Sequence, residues 1–128
     1  MRLFLALVAA TVGISLSDWL FFGVIFHGDY MKTPEMWRAV PENRKIAFSM
    51  LISVVGTAAL LVLAQRTGVH GFGPAVGLSA LVWLAAALPQ TLTNTLYLNY
   101  SSRLAVSHSL GWLARLVIAA AAYVLIVG

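Results

Sequence analysis

Asp18 and Arg115 are the residues whose types and positions point most directly to chemistry. Each falls inside a long apolar run, Asp18 within residues 3–26 and Arg115 within residues 106–127. Runs of that length cross a bilayer as helices. An ionisable side chain at bilayer depth is costly unless paired, and by default marks an ion or ligand site. Asp18 lies nine residues before His27, and a rise of about 1.5 Å per residue puts it about 13 Å from that helix end. Arg115 lies nine residues into the last run, entering from the same side. Both therefore fall near the midplane at matching depth, and an Asp18–Arg115 pair is expected inside the bundle.

Two further stripes run toward this depth. Trp83, Ala87, Gln90, Asn94 and Tyr97 follow a 4-3-4-3 spacing, one face of a helix. His108, Trp112, Arg115, Ala119 and Ala122 do the same in the last run. The expected polar pocket is therefore Asp18, Arg115, Gln90, Asn94, Tyr97, His108 and Trp112. Gln90 and Asn94 would complete the hydrogen bonds of the charge pair, and Tyr97, His27 and His108 would sit nearer the mouth. Two bland readings compete with it. A buried ion pair with amides can fix helix register without binding anything, and Arg115 could snorkel to headgroups if its helix starts later. His27 and His108 are weak metal or haem candidates, since no third ligand is spaced to help them. Asp29 and Glu35 read as solvated loop acids. Nothing in the sequence calls for a cofactor: GxSxG, HExxH, P-loop and dinucleotide motifs are all absent.

The elements that must position these residues follow from composition. Of 128 residues, 61% are hydrophobic and 9% charged, far below the roughly 25% charge of a soluble domain. Mean hydropathy is +0.91. The expected fold is all-α: a single membrane domain over residues 1–128, a four-helix bundle with spans at 3–26, 46–65, 73–98 and 106–127. The run 3–26 outlasts a signal-peptide core of about 7–15 residues, so the first span is expected to be retained. Ala9, Gly13 and Ser17 fall four apart and predict a close helix contact. Ser15, Asp18 and Phe22 lie on a neighbouring face. Thr33-Pro34-Glu35 has the form of a helix start, which predicts a short interfacial helix over 34–40 with Trp37 at headgroup depth. Span two has only mild polar positions, Ser49, Ser53 and Thr57 around Gly56. The short turn after it predicts that spans two and three are antiparallel neighbours. Gly73-x-x-x-Gly77 is a weak contact motif, and Pro89 should kink span three.

The net charge of +4 does not indicate nucleic acid. Lys32, Arg38, Arg44, Lys45 and Arg103 lie in the two loops on one side, against Arg2 and Arg66 on the other. The positive-inside rule puts those loops in the cytoplasm and both termini outside. The absence of cysteine excludes disulfides, thiolate metal sites and cysteine nucleophiles.

The segment Leu20-Phe21-Phe22-Gly23-Val24-Ile25-Phe26, followed by Tyr30-Met31, resembles a pattern in a bacterial family of small four-span proteins of unknown function. Asn94-Thr95-Leu96-Tyr97 and Ser107-His108-Ser109-Leu110-Gly111-Trp112 resemble it too. Tyr30 stands where that pattern has tryptophan, and Gly23 where it has proline. The resemblance implies the four-span layout and carries no activity; the expected location is the bacterial inner membrane. Three functions fit the residues. One is binding or transport of a small polar or amphipathic molecule, with a homodimer needed for transport. Another is an accessory subunit of a membrane complex. The third is an interfacial lipid-modifying enzyme using His27, Asp29 and His108.

Overall fold

The computed structural model describes residues 1–34, 39–99 and 101–128. The interfacial helix expected over 34–40, with Trp37 and Glu35, falls largely outside the described residues. Four helices are long and apolar enough to cross a membrane: Arg2–Ile25, Glu42–Arg66, Phe72–Tyr97 and Ser102–Ile126. A helix pairs its backbone polar groups within the segment, as a span in hydrocarbon requires.

Span one is α1 (Arg2–Asp18) continued by a π-helical stretch, Trp19–Ile25. A short helix, α2 (His27–Met31), follows it in the first loop. Span two is α3 (Glu42–Arg66), with Pro41 at its N-cap, Glu42 in its first turn and Arg66 in its last, each charge opposing the helix dipole. It ends in a Schellman motif. The Gly68 N–H donates to the Gln65 carbonyl and the Val69 N–H to the Ala64 carbonyl. Gly68 adopts φ +64° there, a conformation that glycine takes without a steric penalty. Val69 folds back into the core beside Ala64.

Span three is α4 (Phe72–Val82), a π-helical stretch Trp83–Ala87, and α5 (Leu88–Tyr97). The π stretch lies directly before Pro89, and the Leu88 N–H reaches back five residues to the Trp83 carbonyl. Proline lacks an N–H and crowds the carbonyl four residues back, so the widened turn is how this helix absorbs it. Span four is α6 (Ser102–Ile126), capped by the Ser101 hydroxyl, which accepts from the Leu104 N–H.

α6 is the central helix; α1, α3 and α4 all pack on it. Spans two and three, joined by a short turn, each pack on α6 rather than mainly along each other, which corrects the sequence expectation. Core side chains are small. On α1 the buried positions are Ala6, Ala10 and Ile14. Gly13 lies at the closest approach, where a Cβ would come within 2.8 Å of Ile118 Cγ2. Of the expected stripe Gly13 thus makes the close contact, whereas Ala9 is exposed and Ser17 half-buried, and the buried line runs one position over, through Ala6, Ala10 and Ile14. The Gly73–Gly77 motif also makes no close contact, since a Cβ at either position would meet open space. Span three is held to α6 by Ala75, by Ser79 and by Trp83. The Ser79 hydroxyl is shared between the carbonyls of Ala75 at 3.0 Å and Leu116 at 3.1 Å. The Trp83 indole N–H donates to the Ser109 carbonyl at 2.9 Å. Such interhelical bonds are worth about 1 kcal/mol each in a bilayer.

Candidate functional site

α1 and α6 bring Asp18 and Arg115 together side-on. Nε donates to Oδ1 and Nη2 to Oδ2, both at 2.7 Å. This fork-to-fork geometry is the strongest that two such groups form. The side chains retain 26% and 22% of their exposure. The guanidinium is also flanked by aromatic rings, with Trp112 at 5.3 Å and Phe22 at 5.9 Å. Arg115 does not snorkel: it is fixed by a carboxylate inside the bundle.

The amides do not complete this pair. Gln90 Nε2 donates instead to Asn94 Oδ1 at 3.2 Å. Both line a groove of about 360 Å3 between span three and α6. Thr91, Ala86 and Val82 continue its wall on span three, and His108, Trp112 and Leu116 form the α6 wall. Asp18 and Arg115 do not line it. Arg115 lines a separate, water-sized cavity of about 30 Å3 beside Ser53 and Thr57, and Trp112 borders both spaces. Tyr97 is 83% exposed and lines neither. The residues expected in one pocket thus divide into a groove (Gln90, Asn94, His108, Trp112), an ion pair (Asp18, Arg115) and an outlying tyrosine.

A second constellation escaped the sequence reading. The Phe22 ring packs on Gly111, tilted against His108 at 5.5 Å and edge-on to Tyr30 at 5.6 Å. Tyr30 stands edge-on to His108 at 5.7 Å, and its hydroxyl lies 3.2 Å from the hydroxyl of Ser107, which is fully buried. Burial pushes the Tyr30 phenol up from its ordinary value, while the Ser107 hydrogen bond and the Arg115 charge pull it down. Asp29, next in sequence, is not a solvated acid. Its side chain is 12% exposed and accepts from Arg103 Nε at 3.2 Å, with Lys32 Nζ at 3.7 Å. Two contacts therefore tie α2 to the first turns of α6. Of the two residues that receive them, Ser107 falls in the expected span, whereas Arg103 was expected in the loop, because α6 begins at Ser102 rather than at residue 106.

His27 is exposed, and no group of three metal-ligating side chains forms among the described residues. Ser15 also lies outside the site, exposed and bonded to the Thr11 carbonyl.

Residues 5–124 match the family model DUF1761, described as a protein of unknown function, and the chain belongs to that family. No curated protein and no solved structure matches it.

Proposed function

We propose that this is a membrane-embedded binding protein whose groove between span three and α6 takes a small amphipathic molecule. The carrying observation is the order of side chains along the groove. Gln90, Asn94 and His108 stand toward the loop end, and Val82, Ala86 and Leu116 stand deeper. Polar groups near the interface and apolar ones toward the midplane match a head-and-tail ligand. The Asp18–Arg115 pair then fixes α1 against α6 outside the groove. By the charge balance of the loops, the groove mouth faces the cytoplasm of a bacterial inner membrane and the termini lie outside. Native mass spectrometry of the protein released from lipid nanodiscs tests this reading. A reproducible bound amphiphile, lost in Ala86→Phe, is the expected result. An identical spectrum for both proteins would refute it.

One observation favours a second reading, an accessory subunit or homodimer. The first half of α3 has few partners within the chain, with Phe48 66%, Leu51 59% and Ile52 66% exposed. In a bilayer lipid can cover this face, or another polypeptide can. Foreign chains at fixed stoichiometry after mild extraction would favour the subunit reading.

A further inference from the structure

We infer that the groove's ligand is a single-chain lipid with an uncharged, hydrogen-bonding head, an assignment that rests on the binding function proposed above. Length comes first. From Val82 to Asn94 is twelve residues, about 18 Å along a helix. The hydrocarbon of one leaflet is about 15 Å thick. Asn94 lies three residues before the helix end at Tyr97, so the groove runs from the interface to the midplane. A lipid seated in one leaflet has the same extent and the same polarity order.

The head is defined by what lines the mouth. Gln90 and Asn94 spend one hydrogen bond on each other. No hydrogen bond to Gln90 Oε1 or from Asn94 Nδ2 forms among the described residues, which leaves an acceptor on one amide and a donor on the other. Their natural complement is a group that both donates and accepts, such as a glycerol hydroxyl or an amide. Among the described residues no carboxylate, lysine or arginine lines the groove. Asp18 and Arg115 are bonded to one another beyond Trp112. His108, the titratable group among the described lining residues, has its ring packed against Phe22 and Tyr30. A carboxylate or phosphate head seated there would therefore find no fixed counter-charge among the described lining residues. A volume of about 360 Å3 is near the lower end of small-molecule sites, roughly 300–1,000 Å3, which suits one chain rather than two.

The test compares three probes that share one brominated acyl chain and differ in the head: glycerol, carboxylate and phosphocholine. Each is titrated into phosphatidylcholine nanodiscs holding the full chain, and quenching of tryptophan fluorescence is read against the probe's mole fraction, with Trp112→Phe as the reporter control. The glycerol-headed probe is expected to saturate at an about tenfold lower mole fraction than the other two, the scale set by leaving one charge without a partner. Asn94→Leu should remove that preference, and Gly77→Ala, where a Cβ meets open space away from the groove, should keep it. Equal or tighter binding of a charged head overturns the assignment while leaving the groove as a binding site. Quenching that never saturates, or is unchanged in Ala86→Phe, overturns the binding function itself.

Discussion

Arg115 presents the Nε–Nη2 edge of its guanidinium to both carboxylate oxygens of Asp18 at 2.7 Å, ninety-seven residues away in sequence. The pair joins the two helices that share the largest interface in the bundle. Removing one partner leaves the other charge in a largely dehydrated place, which costs more than removing both. Arg115→Gln and Asp18→Asn should each destabilise the fold, and the double variant should be less destabilised than their sum. A coupling of about 1–3 kcal/mol is expected. Reversible unfolding of the four proteins in mixed micelles measures it, and simple additivity would contradict a direct pair.

Gly13 offers a steric test of the same interface. A Cβ there would stand 2.8 Å from Ile118 Cγ2. Gly13→Ala should cost about 1–3 kcal/mol through overpacking, and Ile118→Ala in the same chain should recover much of that. Gly77→Ala, where a Cβ meets open space, should leave stability unchanged or raise it slightly.

The Tyr30 phenol predicts an alkaline effect. Its ionisation lies above the ordinary 10.0 in the folded protein because burial opposes the charged form. A folded-state pKa raised in this way gives stability that is complete below the unfolded pKa. It is lost as pH rises from there through the folded value, because the unfolded chain releases the proton first. The wild type should therefore lose stability above about pH 10 more steeply than Tyr30→Phe. Below that range, Tyr30→Phe should cost about 1 kcal/mol for the lost Ser107 hydrogen bond. Parallel stability profiles would contradict a buried, hydrogen-bonded phenol.

Much of the architecture was legible because span length and apolarity are crude signals that a bilayer enforces. The helix faces were harder. The contact stripe of span one is Ala6, Ala10, Ile14, Asp18 and Phe22, and that of span three is Ala75, Ser79, Trp83, Ala87 and Thr91, a strict spacing of four. An α-helix with 3.6 residues per turn drifts off such a line, and the π stretches at Trp19–Ile25 and Trp83–Ala87 widen the turn and counter the drift. A 4-3-4-3 reading of span three therefore puts Tyr97 inward, whereas Thr91 is buried and Tyr97 is exposed. Asp18 and Arg115 were legible as a pair because charge at depth has few alternatives. The Tyr30–Ser107 contact was not, since neither residue is unusual where it stands in the sequence.

The central claim is that binding belongs to the groove and the charge pair to the frame. Saturable quenching by the brominated, glycerol-headed probe, measured side by side in Asn94→Leu and in the Asp18→Asn/Arg115→Gln double variant, tests it most directly. Asn94→Leu should keep wild-type stability and bind about tenfold more weakly. The double variant should bind like wild type wherever it is folded. Loss of binding in a folded double variant, with Asn94→Leu unaffected, would place the ligand at the ion pair and contradict the account.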